Sequence, residues 1–130
     1  MTYDILIHHV DILSGDNTIK NGAIAIKDGY ISKIFDADQL AAQWDELKTS
    51  AKELVDGNHR LAAPGLVNTH THIAMGLFRN FADDLELMDW LENAIWPIEA
   101  KLNDDLVKWG TQLGIAEMLR SGTTTFSDMY

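Results

Sequence analysis

The chain has 130 residues, 46% of them apolar and 23% charged, which is typical of one folded domain. Twenty acidic residues against ten Lys and Arg give a net charge of −10, which argues against a nucleic-acid or anionic-membrane partner because both need clustered cations. The lack of cysteine excludes disulfides, thiol nucleophiles and Cys-ligated zinc, so any metal must bind to His and carboxylate ligands. No apolar run is long enough to cross a bilayer and the N-terminus lacks a basic signal region, so we expect a cytoplasmic protein.

Short strands with tight turns are predicted for the first 63 residues. The Asp28-Gly29 pair between two apolar runs favours a hairpin, because a type I′ turn needs positive φ at both central residues. Residues 14–17 predict a second turn. The runs that predict strands are residues 5–7, 10–13, 23–26, 30–35 and 53–56.

One helix is predicted in this part, from Asp38 to about Ala51. Asp38 can act as its N-cap, and apolar residues recur there at helical spacing. These are Leu40, Trp44 and Leu47. Three histidines of the same part are interpreted as having no catalytic role, namely His8, His9 and His59.

A strand–helix–strand arrangement is predicted after Pro64, where we place the domain boundary. Residues 65–70 carry few charges, which is typical of a strand buried on both faces. A helix capped at Asn103-Asp104 is predicted to end at Gly122, before a β-branched and aromatic strand at residues 123–127. This order predicts an α/β fold with a parallel sheet, in a chain divided into residues 1–63 and 64–130.

Further helical features are predicted between the two strands. Residues 85–95 have one apolar helix face, and Pro97 is expected to end that helix or start the next turn. Residues 83–105 hold eight acids and one base, which predicts a solvated helix surface or, alternatively, an acidic mouth over a pocket. The longer helix is predicted to bury the stripe Leu106, Trp109, Leu113, Ala116 and Leu119.

The sharpest candidate site is His70-Thr71-His72, at the end of the first of these strands. Residues i and i+2 of a strand point to the same face with Cα atoms about 6.6 Å apart. Two imidazoles placed in this way can converge on one cation at about 2.0–2.1 Å. By itself such a pair is also compatible with two ordinary histidines at a strand end.

The segment from Pro64 to His72 resembles the first barrel strand of the amidohydrolase superfamily. Residues 79–99, with Arg79, Trp90 and Glu99, narrow the resemblance to the 5-methylthioadenosine/S-adenosylhomocysteine deaminase group. Residues 121–129 are similar to the family's second barrel strand and the turn into it. The resemblance implies that residues 1–63 are strands of a small β-sandwich and that residues 64–130 begin a (β/α)8 barrel.

The resemblance also assigns roles to individual residues. It implies that His70 and His72 bind a divalent metal, most commonly Zn²⁺. It implies that Glu99 binds the ribose hydroxyls of a nucleoside and that Trp90 forms an aromatic wall of the substrate pocket. Asn80 replaces a glycine that is common in the family, and Asn tolerates a left-handed backbone. Asp128, at the end of the second strand, is expected to have a hydrogen-bonded structural role.

The implied reaction is metal-assisted hydrolytic deamination of an adenine ring, giving an inosine product and ammonia. In the family the acid/base and the remaining ligands come from later barrel strands, so they are expected downstream of Tyr130 and no catalytic residue is expected within these 130 residues. We therefore expect the parent protein to be active and the 130 residues alone to be inactive and prone to aggregate; a homo-oligomer is compatible with the full-length protein. Two alternatives stay open: a related hydrolase acting on guanine, a triazine or a cyclic amide, and a non-enzymatic β-sandwich binding module.

Overall fold

The computed structural model describes residues 2–82 and 84–129, and it divides into two compact units after Pro64. The first unit contains β1 (Tyr3–Ser14), β2 (Asn17–Lys27), β3 (Tyr30–Phe35), α1 (Ala37–Ser50), β4 (Ala51–Asp56) and β5 (Leu61–Ala62). The second contains β6 (Leu66–Thr71), a 3-10 helix (Ile73–Phe78), α2 (Leu87–Trp90), a π-helical turn (Leu91–Ile95), α3 (Trp96–Glu99), α4 (Asp104–Ser121) and β7 (Thr123–Asp128). Within the described residues, no helix has the length and apolar character needed to cross a membrane.

A five-stranded mixed sheet forms the first unit. Its strand order is β3-β2-β1-β4, and β5 also pairs with β1. The β1–β2 and β2–β3 pairs are antiparallel, whereas β4 and β5 both run parallel to β1. The predicted hairpin between β2 and β3 is confirmed, because Asp28 and Gly29 have φ of 51° and 79°.

A bulge at His9 explains why the first strand reads as two apolar runs in the sequence. His9 has φ of 53°, and the register between β1 and β2 shifts between His8 and Val10. An extra residue reverses the alternation of side chains, since successive residues of a strand face opposite sides. Leu6 accordingly packs in the cluster beneath α1, whereas Val10 and Ile12 pack in a separate apolar cluster. The two predicted strands are therefore one strand with a bulge.

The helix α1 begins earlier than predicted, and its cap is a different aspartate. Asp36 is its N-cap, with the side chain accepting from the Gln39 backbone N–H at 2.8 Å. The Gln39 side chain accepts from the Asp36 N–H in return, which completes a capping box. The predicted role of Asp38 as the cap is therefore wrong. Asp38 lies in the first turn, where its negative charge interacts favourably with the positive end of the helix dipole.

The second unit contains the predicted strand–helix–strand arrangement. β6 and β7 pair in parallel, and α4 lies between them in sequence. Asn103 caps α4 by accepting from the Leu106 N–H at 2.9 Å, and Gly122 ends it with φ of 86°. Both predicted ends of this helix are confirmed. The chain is thus a mixed α/β protein; the sandwich and the barrel stay predictions.

α4 packs through glycines rather than through its predicted apolar stripe. A Cβ at Gly110 would lie 2.7 Å from the Ala74 carbonyl oxygen, and one at Gly114 would overlap the Ile73 side chain. The helix therefore lies close against the 3-10 helix. The predicted stripe is exposed instead, with Trp109 61% exposed and Leu119 66% exposed.

The strand β6 is also exposed where the sequence predicts burial on both faces. Leu66 and Val67 are 61% and 62% exposed, and among the described residues β6 pairs with β7 alone. Between β6 and α4, the short helical elements run from Leu87 to Glu99, so they begin and end later than the predicted 85–95. Pro97 lies in the first turn of α3, directly after the π-helical turn, which agrees with the expectation that it starts the next turn.

Candidate metal centre

His70 and His72 lie together at the carboxyl end of β6. Their ring centres are 5.2 Å apart and the ring planes are inclined at 67°. Both side chains are exposed within this chain. The strand geometry therefore places the two imidazoles side by side, as the His-x-His spacing predicts.

The separation of the two rings fits shared binding of one cation. Two imidazoles that bind one tetrahedral zinc at about 2.0–2.1 Å have ring centres roughly 5 Å apart. The observed distance between the ring centres is close to this value. Two imidazoles supply half of a four-coordinate shell, so further ligands must complete the site.

Asp128 connects the ends of the two parallel strands. Its carboxylate accepts from the Ile73 backbone N–H at 3.0 Å, and the Met129 N–H donates to the Thr71 carbonyl at 3.1 Å. Ile73 directly follows His72, so these bonds fix the backbone on the carboxyl side of the histidine pair. This confirms the hydrogen-bonded structural role expected for Asp128.

A bidentate ion pair holds the loop after the 3-10 helix. The Arg79 guanidinium donates to the Glu117 carboxylate at 3.0 and 2.7 Å, which joins this loop to α4. The hydrogen bond from Arg79 lowers the pKa of Glu117, and the same contact raises the pKa of Arg79. Asn80 has φ of 61°, so it adopts the left-handed backbone that its replacement of a glycine predicts.

The two predicted substrate-binding residues lie on the short helical elements. Trp90 ends α2 and Glu99 ends α3, and both are half-buried. The structure brings His70 and His72 together, and it places Trp90 and Glu99 at the ends of two successive helical elements.

Two positions used in the sequence predictions lie outside the described residues. Asp83 belongs to the acidic stretch, and Tyr130 is the residue after which the acid/base and the remaining metal ligands are expected. The location of the acid/base beyond Tyr130 therefore stays a prediction.

A pocket of about 410 Å³ in this unit borders the strand that carries the histidine pair. Asn68, Arg79 and Glu117 are among its lining residues, and His70 and His72 are not. It therefore does not form a substrate pocket around the histidine pair.

A second group of metal-binding side chains lies in the first unit. The donor atoms of His8, His9 and Asp56 all lie within 4.8 Å of one another. His8 is buried, and this burial lowers its pKa, with a further lowering from the neighbouring His9 and a raising from Asp56. The adjacent histidines were the signal in the sequence, but Asp56 is far from them along the chain, so the spacing did not reveal the group.

The sequence profile of the amidohydrolase family matches residues 61–130. This match covers more than half of the chain, and the chain belongs to the amidohydrolase family. That class is consistent with the parallel strand pair and with the histidine pair at its carboxyl end.

Two named deaminases and one solved structure are similar to this chain. The chain is 50% identical over 126 residues to 5-methylthioadenosine/S-adenosylhomocysteine deaminase of Dictyoglomus thermophilum, covering 97% of this chain and 28% of that protein. It is 67% identical over 78 residues to 5'-deoxyadenosine deaminase of Methanocaldococcus jannaschii, covering 60% of this chain and 19% of that protein. A solved adenosine deaminase from Xanthomonas campestris with bound zinc superposes with a TM-score of 0.85 at 36% identity, covering 98% of this chain and 29% of that one. The chain thus spans less than a third of the length of these relatives.

Proposed function

We propose that this chain is part of a metal-dependent deaminase that acts on the adenine ring of 5'-modified adenosines. The observation that carries the proposal is the His70–His72 pair, whose rings are 5.2 Å apart at the carboxyl end of a parallel strand. Active sites of (β/α)8 enzymes lie at this end of the strands. The names of the relatives supply the substrate class, since they include deaminases of 5'-deoxyadenosine and of 5-methylthioadenosine/S-adenosylhomocysteine.

In this proposal β6 and β7 begin a (β/α)8 barrel, and residues 1–63 belong to the small β-sandwich of the family. His70 and His72 would hold the metal, most commonly Zn²⁺. The bound cation would act as a Lewis acid and lower the pKa of water. The rest of the metal shell and the acid/base would come from elements beyond Tyr130, so the 130 residues alone would release no ammonia.

The residues of this chain would bind the metal and the nucleoside and would orient them. His70 and His72 would fix two corners of the metal site, and the Asp128 carboxylate keeps the backbone after His72 in place through the Ile73 N–H. Glu99 would accept hydrogen bonds from the ribose hydroxyls, and Trp90 would stack against the nucleoside. The hydroxyl contact is specific for the nucleoside, because a free base has no ribose.

The test measures ammonia release by the protein at the full length encoded by its gene. The substrates are 5'-deoxyadenosine, methylthioadenosine and S-adenosylhomocysteine, with adenine, guanine and a triazine as comparisons. We expect the nucleosides to be deaminated and His70→Ala to lower kcat/KM by more than the ~10–100-fold that loss of an outer-sphere partner costs. Full activity in His70→Ala, or in metal-free protein, would contradict the proposal.

The role of Glu99 has its own control. Glu99→Gln is expected to raise KM for the nucleosides while any activity on adenine stays unchanged, because adenine lacks the ribose. Glu92 is an exposed acid on the neighbouring π-helical turn, and Glu92→Gln serves as the matched control. It should change neither the KM for the nucleosides nor the activity on adenine. Equal effects of the two substitutions would exclude a specific contact between Glu99 and ribose. A preference for guanine or a triazine would instead favour a related hydrolase.

A further inference from the structure

We propose that His8, His9 and Asp56 form a second metal site, for zinc or a similar transition-metal ion, at the bulge of β1. This site lies in the first unit and is independent of the His70–His72 pair. It goes beyond the proposed deaminase activity, because it would stabilise the fold rather than take part in a reaction. Three observations support it: the backbone that places the three residues, the separations of their donor atoms and the chemistry of those atoms.

The backbone brings the three side chains together where three segments meet. β4 pairs with β1 as far as His8 and Asp56, and β5 resumes the pairing at Asp11 and Leu61. The residues between them, 57–60, cross the bulge. The N–H groups of Gly57 and His59 donate to the carbonyls of His8 and His9, both at 2.8 Å. The positions of the three side chains are therefore fixed by strand pairing and by these hydrogen bonds.

Two of the three donor-atom separations are close to those of ligands on one cation. The Nδ1 atoms of His8 and His9 are 3.0 Å apart, and the His9 Nδ1 is 3.5 Å from the Asp56 Oδ1. Two ligands on a tetrahedral ion at about 2.0–2.1 Å are roughly 3.3 Å from each other. Both measured separations lie close to this value. All three donor atoms lie within 4.8 Å of one another, so a single cation would bind all three once side-chain rotation brings His8 and Asp56 closer together.

The donor set defines the class of ion. Imidazole ligands suit Zn²⁺ and other late transition ions, whereas Mg²⁺ and Ca²⁺ prefer oxygen ligands. His8 is 8% exposed and its ring packs edge-on against Trp44 at 4.9 Å, which holds one ligand rigidly. The side chains of His9 and Asp56 are 42% and 54% exposed, so an ion can reach the site from solvent.

The experiment uses the 130-residue chain without an affinity tag, carrying His70→Ala and His72→Ala, at concentrations where sedimentation shows a monomer. Those two substitutions remove the first metal site, so that bound metal reports on the second site. Zn²⁺ is titrated by calorimetry, and nitrogen chemical shifts of the imidazoles identify the bound atoms. We expect one equivalent to bind, with the Nδ1 signals of His8 and His9 shifting and the melting temperature rising.

Two further substitutions test the ligands. Asp56→Asn keeps an oxygen that can accept from the Asn58 N–H, and His9→Asn keeps a residue that tolerates positive φ. Each should weaken Zn²⁺ affinity by more than the ~10–100-fold that an outer-sphere partner contributes. Asp16→Asn, at another exposed aspartate, is the matched control and should leave affinity unchanged.

The outcomes separate this site from the deaminase proposal. Absence of Zn²⁺ binding in the starting variant, or equal binding after Asp56→Asn and His9→Asn, would overturn the second site and leave the deaminase proposal intact. Loss of binding in both variants, with their melting temperatures unchanged in the absence of metal, would support it.

Discussion

Single polar side chains fix the backbone around the candidate metal centre. The Asp128 carboxylate reaches from the end of β7 to the Ile73 N–H, one residue beyond His72. A second contact of this kind, from Arg79 to Glu117, ties the loop after the 3-10 helix to α4. Both contacts join residues far apart in sequence. Their loss should therefore loosen the backbone near the histidine pair rather than destabilise one helix or strand.

Asp128→Ala should loosen the backbone next to His72. A hydrogen bond to a charged group contributes about 1.5–3 kcal/mol, and partial exposure of Asp128 places the expected loss near the lower end. We expect faster hydrogen exchange at the Ile73 amide and a lower denaturant midpoint. Asp128→Asn retains an acceptor and should show a smaller change in both. Unchanged exchange at Ile73 in the alanine variant would show that the bond does not hold this backbone.

The Arg79–Glu117 pair predicts a dependence of stability on acid pH. Arg79 lowers the pKa of Glu117 in the folded state below its ordinary value of 4.5. The unfolded chain therefore binds more protons at low pH, so the contribution is present above about pH 4.5 and is lost as the pH falls through the lower folded pKa. The melting temperatures of the chain and of Glu117→Gln should differ at neutral pH and converge at acid pH. A constant difference across this range would contradict the assignment.

Glycines decide how the elements of the second unit pack. Gly110 and Gly114 let α4 approach the backbone of the 3-10 helix so closely that a Cβ at Gly110 would meet Ala74. Helical glycine normally lowers stability, so an alanine there would otherwise be favourable. Here the close approach outweighs that preference.

Gly110→Ala should therefore destabilise the second unit. The added methyl would lie 2.7 Å from the Ala74 carbonyl oxygen and 3.0 Å from its Cα, neither of which can rotate away. Overpacking of this kind costs about 1–3 kcal/mol. Gly76→Ala is the matched control, because nothing lies within 4 Å of a Cβ at Gly76, and it should be neutral or slightly stabilising. Urea denaturation followed by circular dichroism measures both, and a Gly110→Ala variant as stable as the control would disprove the close packing.

At the scale of the whole molecule, the second unit leaves a large apolar surface in water. β6 and the outer face of α4 carry exposed side chains that the sequence pattern assigns to a core, including Leu66, Val67, Trp109 and Leu113. Large exposed apolar surface marks an interaction site or a tendency to aggregate. The edges of β6 and β7 add unpaired backbone groups to it.

The 130-residue chain should self-associate as its concentration rises. The double substitution Trp109→Gln and Leu113→Gln should reduce association, since it removes apolar side chains from one exposed helix face. Ile31→Thr, at a residue 64% exposed in β3, is the control and should have little effect. Sedimentation velocity over a range of concentrations measures the outcome. A monomer at all concentrations would show that these exposed apolar side chains do not cause self-association.

The sequence by itself determined the local features of this protein. The Asp28-Gly29 hairpin, the Asn103 cap, the Gly122 stop and the facing pair His70 and His72 all depend on residues close together in the chain. Strand and helix periodicity fix such features, because they follow from backbone geometry within a few residues. The order of elements likewise indicated a parallel strand pair.

Only the tertiary structure decided which faces pack and which distant residues meet. α4 shows an apolar stripe in sequence, yet it packs through Gly110 and Gly114 because the 3-10 helix lies against that side. The His8, His9 and Asp56 group arises from a bulge and from parallel pairing between residues far apart in the chain. Neither result can be read from periodicity, since long-range pairing and backbone approach depend on the whole unit rather than on the local sequence.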